Sequence, residues 1–159
     1  MKDTTFEIGR LCREHGITIG VAESCTGGLI AAALTDVAGA SAWFKGGIVS
    51  YAEEIKVALL GIPADLIQKA GVVSGVVAEA MAKGARQILS VDVAVSVTGL
   101  AGPEGDGINP VGTVFVGYAS RREQGSRVFH FEGDRGTVRT QAREAALGEL
   151  LRLLRASGA

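Results

Sequence analysis

Reactive and cross-linking side chains are scarce in this chain. Its 159 residues hold two cysteines, Cys12 and Cys25, and two histidines, His15 and His130. Two thiols make no disulfide framework and lack the spacing of a zinc site, so neither a staple nor a metal is expected. The histidines fit ordinary roles. His15 stands beside Gly16 at a helix C-terminus, where a cation suits the dipole, and His130 alternates with Phe129 and Phe131 as a solvent-facing strand residue does. With no Ser-His-Asp triad or metal cluster to assemble, any catalytic base must be another residue type.

Excess charge is also absent. Sixteen Lys and Arg face 17 Asp and Glu, for a net charge of −1, so no field draws a polyanion and nucleic acid is not an expected partner. The most apolar stretches, around 30–34 and 91–97, are far shorter than the roughly 20 residues of a spanning helix, so no membrane association is expected. Residues 1–7 carry acids where a signal peptide needs an apolar core, and a cytoplasmic location is expected.

What is present is a globular composition, 47% apolar and 21% charged, long enough for one domain over 1–159 with a real core. The stretch 21–28, Val-Ala-Glu-Ser-Cys-Thr-Gly-Gly, organises it. A buried strand over 17–22 precedes a helix from about 29 to 37, so Ser24 to Gly28 form the turn and helix start between them. The backbone N–H groups of Cys25, Thr26, Gly27 and Gly28, with the helix dipole behind them, favour an anion there. Position alone equally suits a helix cap by Ser24 or Thr26, which is the commoner use of such residues. The G-x-S-x-G elbow is absent, because Ala22 and Thr26 flank Ser24 at two residues' distance, and no Gly-Lys-Ser/Thr makes a P-loop.

Elsewhere, a helix over 4–15 offers Phe6, Leu11 and Cys12 as an apolar face. A second strand over 47–51 ends at Tyr51, and a short helix over 53–60 carries Lys56. Trp43 reads as a core or subunit-contact residue. Another short helix spans 64–69, and one over 75–90 buries Val76, Val77, Ala80, Met81, Ala85, Ile88 and Leu89. Residues 91–98 read as a central strand. The glycine-rich loop 99–112 leaves its end, where open α/β sheets bind ligands. Strands over 113–119 and 127–131 form a hairpin, and a helix over 136–156 closes the chain. Alternating strands and helices followed by a hairpin predict an α/β fold with a mixed sheet covered on both faces. The Ala- and Leu-rich last helix packs on the sheet or on a second subunit, so a homodimer is one expectation.

A serine nucleophile needs a base. If the strands ending near Ser24 and Tyr51 run parallel in one sheet, both residues leave the same edge and Lys56 reaches their crevice. As a base Lys56 must lose its proton near neutral pH, which burial favours; otherwise it is a solvated residue paired with Glu53 or Glu54.

These motifs together, 23–28, Ala42-Trp43-Phe44, 47–51 with Lys56, 97–103 and 131–135, resemble the CinA C-terminal domain family, including its free-standing PncC-type amidases. The likeness runs from about residue 4 to 154. It implies a three-layer α/β/α sandwich with a mixed, mostly parallel sheet and nicotinamide-nucleotide amidase activity. That reaction hydrolyses the carboxamide of nicotinamide mononucleotide to nicotinate mononucleotide and ammonia, in pyridine nucleotide salvage, with no metal or other cofactor. By the same likeness Ser24 is the nucleophile, Lys56 its base and Tyr51 a proton relay or orienting group, and Thr98 with Gly99 lines the site. Longer members carry a separate N-terminal pyrophosphatase domain, whose activity is not expected of this chain.

Arg135 and Arg139, at the start of the last helix, are candidates for the substrate phosphate. Two rival readings stand: Cys25 as nucleophile, since a helix N-terminus acidifies a thiol, and a nucleotide-binding regulatory module that breaks no bond. An amidase for a different small amide is a third.

Overall fold

In the computed structural model, which describes residues 2–157, the chain runs α1 (Lys2–His15), β1 (Ile19–Glu23), α2 (Leu29–Thr35), β2 (Phe44–Val49), α3 (Glu53–Leu60), α4 (Ala64–Ala70), α5 (Gly75–Ile88), β3 (Val93–Gly99), β4 (Thr113–Ala119), β5 (Gln124–His130) and α6 (Arg135–Ser157). The strands form one sheet in the order β2-β1-β3-β4-β5. β1 pairs parallel with both β2 and β3, whereas β4 pairs antiparallel with β3 and β5. Four strands therefore point one way and β4 alone opposes them, which is the mixed, mostly parallel sheet the sequence implied.

Side-chain alternation along the strands sorts the core into two layers. Val21, Val95 and Val97 face α1, α2 and α6, packing with Ile8, Ile30, Leu34, Leu147 and Leu150. Ala22 and Ala94 face the other way, against Leu60, Ile67, Val77, Met81 and Ala85 of α3, α4 and α5. On this side α5 lies close against β4. A Cβ on Gly117 would stand 2.0 Å from the Ala78 carbonyl, so only glycine lets α5 approach β4 this closely.

Several expectations shift. β2 ends at Val49, so Tyr51 lies in the loop beyond it and is 61% exposed. On α5, Val77, Met81 and Ala85 recur at four-residue spacing and are buried, whereas Val76 and Ile88 fall off that face and are exposed. Phe6 likewise lies outside the α1 face made by Ile8, Leu11 and Cys12. Strand β5 begins at Gln124 rather than 127, because Ser120 closes a tight turn by accepting the N–H groups of Arg122 and Glu123. Trp43 is a core residue, and Cys12 and Cys25 are buried and unbridged.

The connections set the site. From β1 the chain turns to the α2 face, and from β2 it turns to the α3 face. Two neighbouring parallel strands whose exits diverge leave a crevice between their C-terminal ends, the usual ligand position in open α/β sheets.

Candidate active site

The crevice opens into a cavity of about 440 Å³, within the range of small-molecule sites. Ser24, Cys25, Tyr51, Lys56, Thr98, Gly99 and Arg135 all line it. Thr26, Gly27, Gly28 and Arg139 do not.

Strand register brings Ser24 and Lys56 together. Glu23 pairs with Val49 across β1 and β2, so Ser24 and Ser50 leave the sheet in step. The Ser24 N–H donates to the Val97 carbonyl at 3.0 Å, and the Ser50 N–H donates to the Glu23 carbonyl at 2.8 Å. One turn into α3, Lys56 reaches back under this loop. Its Nζ lies 3.1 Å from Ser24 Oγ, 2.6 Å from the Ser50 carbonyl and 3.3 Å from the Tyr51 carbonyl. No carboxylate among the described residues ion-pairs with it.

This geometry selects a role for each hydrogen on Nζ. Carbonyl oxygens only accept, so two N–H bonds are committed to Ser50 and Tyr51 in either protonation state. Once one proton is lost, the remaining lone pair faces the Ser24 hydroxyl. Burial, with Lys56 fully enclosed, pushes its ammonium below the ordinary lysine value, opposed in part by the nearby Glu53 charge. A buried lysine with a lowered pKa, hydrogen-bonded to a serine at the end of a cavity, is chemically able to take the proton of that hydroxyl.

The turn after Ser24 is occupied differently from the sequence expectation. The Glu23 carboxylate, 1% exposed, folds under it. There it accepts from Thr26 Oγ1 at 2.6 Å and from the N–H groups of Gly28, Ile30 and Ala31 at 3.0–3.1 Å. The Gly27 N–H goes to the Ser24 carbonyl. The protein's own anion thus fills the start of α2. Among the described residues no carbonyl or carboxylate takes the N–H groups of Cys25 and Thr26, and the Cys25 N–H stands against its own thiol. Cys25 itself is buried, and burial pushes its thiol up to about 11, so a helix-acidified thiolate is not what the turn provides.

The two arginines divide. Arg139 donates through Nε to the Cys25 carbonyl at 2.9 Å and through Nη2 to the Thr26 carbonyl at 3.1 Å, bracing the turn from behind. Arg135 stands at the cavity mouth, giving Nη1 to the Gly102 carbonyl at 2.7 Å and Nη2 to the Tyr51 hydroxyl at 3.1 Å. The Thr98 hydroxyl is turned to the Val72 carbonyl at 2.9 Å, and Gly99 leaves no room for a side chain, a Cβ there meeting Val114 at 2.8 Å. The first half of the glycine-rich loop, through Leu100, Ala101, Gly102 and Glu104, forms one wall.

Residues 2–154 match the model of the CinA C-terminal domain. This chain belongs to that family. A CinA-like protein of Geobacter sulfurreducens is 49% identical over 155 residues, covering 96% of this chain but 38% of that protein. A putative competence-damage inducible protein of Halothermothrix orenii is 46% identical over 95% of this chain and 37% of its own. The chain thus spans under two-fifths of the curated relatives it matches. Among solved structures, a CinA superfamily protein of Klebsiella pneumoniae superposes with a TM-score of 0.93 at 31% identity, covering 98% of both chains.

In this CinA domain three contributors to the site went unassigned in the sequence: the Glu23 carboxylate, the Ser50 carbonyl that anchors Lys56, and the Gly102 carbonyl that anchors Arg135. Two are main-chain atoms, for which no side chain gives a signal. Among the described residues, no group of three or more His, Cys, Asp or Glu is placed to hold a metal, and no helix is long and apolar enough to cross a membrane.

Proposed function

We propose that this protein is a serine amidase that hydrolyses the carboxamide of nicotinamide mononucleotide to nicotinate mononucleotide and ammonia. The observation that carries the reaction class is the buried Lys56 Nζ at 3.1 Å from Ser24 Oγ, with its other hydrogens held by two carbonyls. The choice of substrate rests on the family likeness.

In the proposed cycle neutral Lys56 takes the Ser24 proton as Oγ bonds to the amide carbon. The oxyanion lies against the N–H groups of Cys25 and Thr26. Collapse breaks the C–N bond, and a proton passes from Lys56 to the leaving ammonia directly or through the Tyr51 hydroxyl. Arg135 donates to that phenol oxygen, which leaves its O–H free to donate onward. Water, deprotonated by Lys56, then bonds to the ester carbon, and as the bond from that carbon to Ser24 Oγ breaks Lys56 returns the proton to Oγ. The substrate phosphate meets Arg135, because the start of α2 already holds a carboxylate and Arg139 is committed behind the turn.

Ammonia release from nicotinamide mononucleotide by chelator-treated protein tests this, beside Ser24→Ala and Lys56→Ala. Release by the wild type alone is the expected result. Binding of the nucleotide without release would replace the amidase with a nucleotide-binding module.

A further inference from the structure

We propose that Glu23 is the positioning residue of this site, holding nucleophile and base in register from both ends of its own residue. The inference rests on the serine amidase reading above. The carboxylate fixes the turn that carries Ser24. It accepts four hydrogen bonds, from Thr26 Oγ1, Gly28, Ile30 and Ala31, and each ties a different part of residues 24–31 to a single buried group. The main-chain carbonyl of the same residue fixes the anchor of Lys56. It accepts the Ser50 N–H at 2.8 Å and, more weakly, Ser50 Oγ at 3.5 Å, and the Ser50 carbonyl in turn accepts from Lys56 Nζ at 2.6 Å.

A helix cap alone would not require this placement. Capping side chains ordinarily stand next to the helix they cap, whereas Glu23 closes β1 with five residues between it and α2 and reaches forward under the intervening turn. Four donors and two carboxylate oxygens leave the side chain one orientation. Because Glu23 sits between the Val97 and Ser50 contacts of β1, loss of its side chain frees the turn while the strand pairing stays. Reacting groups tolerate displacement of only about half an ångström before the proton transfer suffers, so the effect falls on the chemical step and not on substrate capture.

The test uses the whole chain, assayed well below its melting temperature. Two readouts are followed: kcat and KM for ammonia release, and the rate at which a fluorophosphonate labels Ser24, which needs no natural substrate. In Glu23→Gln one oxygen still accepts, but the amide nitrogen opposes the Ala31 N–H. We expect kcat and labelling to fall together by tenfold or more with KM within about twofold. Thr26→Val, which removes one of the four donors, should fall part-way, and Thr26→Ser, which restores the hydroxyl, should recover. Leu154→Ala, a core truncation in α6 that lowers the melting temperature, should leave both readouts near wild type. Wild-type kcat and labelling in folded Glu23→Gln would overturn the proposal, as would losses that follow melting temperature through Leu154→Ala. If Glu23→Gln does not fold, the Thr26→Val and Thr26→Ser pair decides alone. Labelling without ammonia release from the wild type would sink the substrate reading while the labelling series still judges Glu23. A wild type that neither labels at Ser24 nor releases ammonia would overturn both.

Discussion

The inner corner and the outer rim of the cavity are built in opposite ways. Glu23, Ser24, Ser50 and Lys56 are all at most 9% exposed, the first three at the ends of two paired strands and Lys56 one turn into α3. Tyr51, Glu104 and Arg135 are exposed, and Arg135 ties rim segments 33 and 84 residues away through side-chain hydrogen bonds. The corner is tied into the sheet by main-chain pairing, whereas the Arg135 bridge across the rim is made of two side-chain bonds. Such a division suits an enzyme whose chemical step needs fixed geometry and whose selectivity resides in adjustable loops.

If the corner carries the chemistry, its variants should show the largest losses. Ser24→Ala and Lys56→Ala should each lower kcat by about 10³-fold or more, and the double variant should be no worse than either, because the two act as one unit. Additive losses in steady-state kinetics would separate them and break the pairing. Lys56→Arg should be equally inactive, since a guanidinium does not give up its proton.

Burial of Lys56 carries a cost in stability that depends on pH. The folded-state pKa is lowered from the ordinary 10.5, so between the two values the unfolded chain binds more protons. Stability therefore rises with pH through that window, and below the folded pKa the full cost of the buried charge is present. Lys56→Met should accordingly gain stability relative to wild type at pH 7, with the gain shrinking towards pH 10.5. Urea unfolding at both pH values measures it. Wild-type kcat/KM should rise with pH through the lowered value and level off below 10.5. No such limb would mean that Lys56 is not the base.

The corner was more legible in the sequence than the rim. Ser24 and Lys56 were each placed by local pattern, and one inference, that their strands run parallel, joined them. Glu23 was hidden in plain sight, because an acid at a strand end usually faces water and nothing local shows it folding beneath the next turn. Arg135 and Arg139 could not be told apart, since both open the same helix and only its phase against the sheet sends one to the cavity mouth and the other behind the turn. Phe6 and Val76 show the same limit on the fold: their apolarity promised burial, and helix phase denied it.

Rim variants sharpen the comparison from the other side. Arg135→Ala should raise KM about tenfold with kcat changed less, as loss of one charge-assisted contact to a phosphate does, and Arg135→Lys should recover part of it. A matching test uses the substrate: nicotinamide riboside, which lacks the phosphate, should be hydrolysed with nearly the same efficiency by wild type and Arg135→Ala. A large difference on the riboside would move Arg135 from binding to chemistry. Tyr51→Phe removes only the hydroxyl and should lower kcat by about tenfold or less, since it serves a proton that Lys56 can also deliver.

The smallest effect belongs to Cys25, although it is adjacent to the nucleophile and lines the same cavity. Its thiol, held at about 11 by burial, is almost wholly protonated at neutral pH, and its neighbour already has the lysine. The part of Cys25 that the proposed mechanism uses is its backbone N–H, which alanine keeps. Cys25→Ala should therefore hold kcat within about threefold and lose roughly 1 kcal/mol of stability from the lost sulfur contacts. Iodoacetamide at pH 7 should leave the wild type active over times that modify a free thiol in solution. Rapid alkylation with loss of activity, together with an inactive Cys25→Ala and an active Ser24→Ala, would transfer the nucleophile to the thiol and leave Lys56 serving sulfur instead of oxygen.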